Sequence, residues 1–103
     1  MPTPLTLDTS QRDGSPILTA AGEIDLSNID AFKQALTSSA AAAAAGGVPL
    51  TVDMTAVEYL DSAAINVLYS QADRIRLIAN SVLMRGLTIS GLAELVMIDS
   101  PPL

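Results

Sequence analysis

The 103-residue chain contains no cysteine and no histidine. These absences exclude disulfide bonds, thiol nucleophiles, zinc sites built from cysteine and histidine, and imidazole acid–base catalysis. Basic residues are few as well, with 5 Lys and Arg against 11 Asp and Glu, and the net charge is -6. A chain of this charge repels phosphate backbones and anionic membrane surfaces, so direct nucleic-acid binding and membrane insertion are not expected.

The sequence also lacks long apolar segments. No apolar run reaches the roughly 18 residues of a membrane-spanning helix, and residues 1–12 lack the basic and apolar regions of a signal peptide. The expected compartment is therefore the cytoplasm. Hydrophobic residues make up 50% of the chain, which is enough for a folded core. The length fits one domain over 1–103 that ends in a short tail at 99–103.

The N-terminal third predicts a hairpin followed by a helix. Two extended runs, 5–9 and 16–21, flank the turn sequence Arg12-Asp13-Gly14-Ser15. Ser27 and Asp30 have the spacing of a capping box, which predicts that the first helix begins at Ser27.

This helix has an apolar face and a clear end. Ile29, Phe32 and Leu36 recur at the helical period. The alanine-rich run 40–45 favours helix, and Gly46-Gly47 supplies the residue that ends it.

The second half begins with a β-rich apolar run over 48–54 that continues with residues 55–60. The pattern predicts a strand that ends near Met54, then a loop, and then a second helix that opens at Asp61-Ser62. From there two interpretations are open. The second helix continues to Ala79, or it stops near Asp73 and is followed by a strand at 75–79 and a third helix capped by Asn80-Ser81. We prefer the latter, with Gly91 ending the third helix and a last strand within 95–98.

This alternation predicts the order β-β-α-β-α-β-α-β and the fold class α/β (α+β). We expect a single domain with a mixed sheet of four to five strands and three helices packed mainly on one face. In such folds ligands and partners meet the carboxyl ends of the strands and the adjacent helix N-termini.

Acidic residues are concentrated at those predicted strand ends. Asp25 follows the second strand, Asp53 lies at the predicted end of the third, and Asp61-Ser62 opens the second helix. Three carboxylates and one hydroxyl are thus expected at one edge of the molecule, beside a helix end with free N–H groups and a partial positive charge. Local structural roles fit as well, since Asp61 or Ser62 can serve as the N-cap.

Three segments resemble STAS domains, in particular bacterial anti-sigma factor antagonists. Residues 52–65 (VDMTAVEYLDSAAI) resemble the signature segment of that family. Residues 22–25 (GEID) and 89–92 (ISGL) resemble two further blocks in the same order. The resemblance also favours the interpretation with a strand at 75–79.

The resemblance implies a binding module without catalytic residues or cofactors. Ser62 would be phosphorylated by an anti-sigma factor that is also a serine kinase; unphosphorylated, the module would bind that kinase and free the sigma factor. The implied partner-binding residues are Asp25, Asp53, Asp61, Ala63, Ala64 and Ile65. The family usually has Ser or Gly where Ala63 and Ala64 stand in this chain.

Two rival functions belong to other classes. A phosphoaspartyl site centred on Asp53 would hold Mg²⁺ and need a nearby lysine, but the only lysine is Lys33 on the first helix. STAS domains also serve as accessory subunits that dock on a transporter ATPase, and nothing in the sequence separates this role from the regulatory one.

Overall fold

The N-terminal hairpin forms as predicted in the computed structural model, which describes residues 4–101. Strands β1 (Thr6–Arg12) and β2 (Ser15–Ile24) pair antiparallel. The connecting residues Asp13 and Gly14 have φ angles of 53° and 80°, the geometry of a type I′ turn that suits the twist of the strands. Residues 1–3, at the start of the segment that lacks the pattern of a signal peptide, lie outside the described residues. So do residues 102–103, the last two of the predicted tail.

Helix α1 (Ile29–Ala45) begins later than the capping box predicts. Its N-cap is Asn28, and no side-chain oxygen caps its first turn. The prediction for Ser27 is wrong because the backbone N–H and the hydroxyl of Ser27 both donate to the Asp25 carboxylate, which forms a separate turn before the helix.

The predicted end of α1 is confirmed. Gly47 has a φ of 75°, its N–H donates to the Ala44 carbonyl, and the Val48 N–H donates to the Ala43 carbonyl. This pair of bonds is the Schellman motif, which requires a left-handed residue that glycine adopts without steric cost.

The second half follows the preferred interpretation. The remaining elements are β3 (Leu50–Leu60), α2 (Ser62–Ser70), β4 (Ile75–Ala79), α3 (Ser81–Ile89), a 3₁₀ turn (Leu92–Glu94) and β5 (Ile98–Asp99). Gly91, at φ 84°, follows the end of α3 as predicted. The last strand begins later than expected, so Asp99 belongs to β5 rather than to a tail.

The five strands form one mixed sheet in the order β1-β2-β3-β4-β5, in which every pair after the first is parallel. One face is covered by all three helices, as predicted. Buried side chains on this face and on the helices include Leu18, Val52, Leu77, Phe32, Leu36, Leu68 and Leu87. Side chains at the alternate positions, such as Thr19 and Asp53, lie on the opposite face, which no described helix covers.

Strand β3 extends well beyond the end of β4, since the last pair between them is Met54 with Ala79. Asn80 supports this overhang. Its amide nitrogen donates to the carbonyls of Thr55 and Val57, and its amide oxygen accepts from Leu83 N–H as the N-cap of α3. One side chain therefore starts α3 and satisfies the free edge of β3.

Candidate functional site

The ends of β2 and β3 place two predicted site residues together. Ile24 pairs with Leu60 at the last position of both strands, so Asp25 and Asp61 begin adjacent loops at the same edge of the sheet. The Asp61 N–H donates to the Ile24 carbonyl at 3.2 Å, which continues the pairing by one residue. The predicted meeting of Asp25 with the Asp61-Ser62 helix start is thus present.

Asp61 joins these two loops with its carboxylate. Oδ1 accepts from the Ala64 N–H at 3.1 Å and caps α2, while Oδ2 accepts from the Leu26 N–H at 3.0 Å. Of the two possible N-caps, Asp61 is therefore the residue that fills the role. Because both oxygens accept backbone hydrogen bonds, the negative charge lies where the positive end of the helix stabilises it.

Asp25 organises the loop that faces this helix. Its carboxylate accepts from the backbone N–H and the hydroxyl of Ser27. Asn28 closes the same loop, since its side-chain oxygen accepts from Asp25 N–H and its amide donates to the Glu23 carbonyl. The loop between β2 and α1 is therefore held by side chains at both ends.

Ser62 occupies the first position of α2 and is exposed. Within the described residues its hydroxyl makes no hydrogen bond. The same is true of the backbone N–H groups of Ser62 and Ala63, because the first donors of a helix have no partner inside it. The positive end of α2 thus carries one hydroxyl group and two backbone N–H groups that have no hydrogen-bond partner among the described residues.

Three apolar residues follow Ser62, and they differ in solvent exposure. Ala63 and Ile65 are half-buried, whereas Ala64 is completely buried. The predicted contact of Ala64 with a partner is wrong because its methyl group packs in the core.

Sequence reasoning missed Leu26, whose side chain is 76% exposed in the loop tied to Asp61. A large apolar residue between the polar turn formers Asp25 and Ser27 was the signal that could have found it.

Ile65 lines a groove that the sequence did not indicate. Tyr59 from β3 and Val82 and Gly86 from α3 complete a space of about 120 Å³. Tyr59 is 50% and Val82 is 74% exposed, so this groove has an apolar rim. It continues the surface around Ser62 toward α3.

Asp53 does not join the site. Its partner in β2 is Thr19, five residues before Ile24, so Asp53 lies about 16 Å along the sheet from the edge that carries Asp25 and Asp61. The placement was wrong because β3 runs on to Leu60 instead of ending near Met54. The Asp53 carboxylate accepts from the N–H and the hydroxyl of Thr55 in its own strand.

The structure does not favour the rival magnesium site centred on Asp53. Lys33 lies on α1, which covers the core face, while Asp53 lies on the other face of the sheet. Among residues 4–101 no group of three or more acidic side chains is arranged to hold a metal ion. In the same range no helix has the length and apolar character needed to cross a membrane.

Comparisons with known proteins agree with this architecture. A solved structure described as an anti-sigma factor antagonist from Mycobacterium paratuberculosis is similar, with a TM-score of 0.80 and 25% sequence identity over 97% of this chain and 88% of that chain. A search of curated proteins gives no match. The family model described as "Mlab, STAS domain" matches residues 7–98. Because that match spans most of the sequence, the chain belongs to the STAS domain family.

Proposed function

We propose that this chain is an anti-sigma factor antagonist that works as a phosphorylation-controlled binding module in the cytoplasm. Unphosphorylated, it binds an anti-sigma factor with serine kinase activity, and the sigma factor is released. Phosphorylation of Ser62 ends the interaction. The observation that carries the proposal is the exposed and unbonded Ser62 hydroxyl at the start of α2, in a fold similar to a solved antagonist.

A phosphate at Ser62 is compatible with the fold. The modification adds about -1.5 to -2 charges, which the positive end of α2 tolerates. The free N–H groups of Ser62 and Ala63 can donate to phosphate oxygens. Asp61 remains the N-cap, so the helix start does not depend on the serine hydroxyl.

The same phosphate opposes a partner. The surface around Ser62 combines exposed Leu26 and half-buried Ala63 and Ile65 with the carboxylates of Asp25 and Asp61. A partner that covers this surface must remove water from the phosphate and bring its own groups against two further negative charges. Binding is therefore lost without a change of fold.

The chain offers a matched control for this test. Ser81 is the exposed first residue of α3 and follows the N-cap Asn80, as Ser62 follows Asp61. We expect Ser62→Asp to weaken binding to the kinase partner at least tenfold, about 1.4 kcal/mol, and Ser81→Asp to leave it unchanged. Isothermal titration with each variant measures both, and mass spectrometry after incubation with kinase and ATP locates the phosphate.

The outcomes separate the alternatives. Equal losses from the two aspartates would show that binding responds to added charge rather than to the position of Ser62. A phosphate found on another residue would overturn the switch. Partner capture from the source cell tests the class of function, because recovery of a transporter ATPase in place of a serine kinase would favour the accessory role.

A further inference from the structure

Strand β1 leaves one edge of the sheet open. Among residues 4–101 it is the first strand in the sheet order and pairs only with β2. Its seven residues keep an unbroken register with β2, and they include no proline, lysine or bulge. Natural proteins use such features to protect an edge from pairing, so this edge is regular and available.

The backbone groups on the open side of β1 follow from the hairpin. Arg12 and Ser15 flank a two-residue turn and exchange hydrogen bonds across the pair. Because the pattern alternates along an antiparallel strand, the N–H and C=O groups of Leu7, Thr9 and Gln11 point away from β2. Within the described part of the chain, the outward groups of these three residues have no partner strand.

The two charges of β1 have a symmetric arrangement. Asp8 and Arg12 lie two residues on either side of Ser10 and project from the same face, which no described helix covers. Neither side chain makes a hydrogen bond or ion pair within residues 4–101. A two-fold axis through Ser10 would place Asp8 of each copy opposite Arg12 of the other.

We propose that two copies of this chain associate through their β1 strands, antiparallel and centred on Ser10, so that the two sheets become continuous. In this register Thr9 of one copy and Gln11 of the other exchange backbone hydrogen bonds. Asp8 and Arg12 form the adjacent non-hydrogen-bonded pair, where opposite side chains approach most closely. The arrangement contains two such ion pairs.

Neighbouring registers are less favourable. An axis through Asp8 places the two Asp8 carboxylates directly opposite, which is repulsive. An axis through Thr9 moves Asp8 opposite Ser10 and leaves Arg12 only as a diagonal neighbour. Charge therefore selects the axis through Ser10.

The helices leave room for this association. α1 packs mainly above β2 rather than above β1. In the joined sheet the two β2 strands are three strand spacings apart, so the two α1 helices are separated by about 14 Å, beyond the 8 to 10 Å of helices in contact. The surface around Ser62 lies at the ends of β2 and β3 and remains accessible in the pair.

Charge reversal tests the proposal in solution. We expect sedimentation equilibrium at about 0.15 M salt, which screens the net charge of the two copies, to show dimers of the unmodified chain. Asp8→Arg alone and Arg12→Asp alone should each weaken association at least tenfold. The double variant Asp8→Arg with Arg12→Asp should restore it, and a mixture of the two single variants should form heterodimers.

A backbone variant and a control complete the test. Thr9→Pro removes an outward N–H without removing a bond to β2, so we expect a folded monomer, with the fold checked by circular dichroism. Asp73→Arg makes the same charge change at an exposed turn and should leave the dimer unchanged. A chain that stays monomeric up to about 1 mM, or a dimer unaffected by the β1 variants, overturns the proposal.

Discussion

Replacing Asp61 with alanine should destabilise the protein far more than replacing its neighbour Ser62. Asp61 caps α2 through Ala64 N–H and holds the preceding loop through Leu26 N–H. Loss of the cap costs about 1 kcal/mol, and loss of a partly exposed hydrogen bond to a carboxylate costs about 1 kcal/mol more. We therefore expect Asp61→Ala to lower the free energy of unfolding by about 2 kcal/mol, or Tm by about 8 to 16 °C.

Ser62→Ala should change the free energy of unfolding by less than about 0.5 kcal/mol, because the hydroxyl has no hydrogen bond to lose among residues 4–101. Asp61→Asn separates the two interactions. Its oxygen can still cap α2, but its NH₂ group faces the Leu26 N–H, so we expect a loss of about 1 kcal/mol. Urea unfolding followed by circular dichroism gives all three values. A Ser62→Ala loss that equals the Asp61→Ala loss would refute the assignment of the cap.

Three other substitutions test the scaffold, each by urea unfolding. Asn80→Ala removes the α3 cap and two hydrogen bonds to β3, so we expect the free energy of unfolding to fall by about 2 to 3 kcal/mol. A fall below ~0.5 kcal/mol would contradict these contacts. Gly91→Ala places a methyl group on a residue with φ 84°, 3.0 Å from the Tyr69 hydroxyl, and should lower the free energy of unfolding by about 1 to 2 kcal/mol. Adding Tyr69→Phe to the same chain removes that hydroxyl and should recover part of the loss. Phe32→Ala should cost about 3 to 5 kcal/mol, and a smaller loss would place this ring outside the core.

The parts of the fold that were predictable depend on local signals. Asp13 and Gly14 form the hairpin turn because few other residues accept positive φ at both positions. Gly47 ends α1 for a related reason, and Asn80 starts α3 with its own side chain. Each of these features is decided within four or five residues, so the sequence contains the information directly.

The errors arose where a residue has more than one possible partner, either nearby or distant in the sequence. Ser27 has the spacing of an N-cap, yet its donors go to Asp25, and the loop is fixed by contacts with Glu23 and Asp61 that spacing does not reveal. Strand β3 was predicted too short for Asp53 because its last residues pair with β2 rather than β4, and that register is a property of the whole sheet. The burial of Ala64 follows from packing in the same way.

The two serine-started helices show what makes one a candidate switch. Asn80 ties the start of α3 to the overhanging edge of β3, whereas Asp61 ties the start of α2 to the loop that presents Leu26. Each capping residue forms hydrogen bonds through both polar atoms of its side chain, and in the described part of the chain the hydroxyl of the serine after it makes none. At Ser62 that freedom coincides with an apolar surface fixed to the ends of two paired strands. Under the proposed function, we expect a charge added there to act on the partner rather than on the fold, because Asp61 caps α2 without the serine hydroxyl.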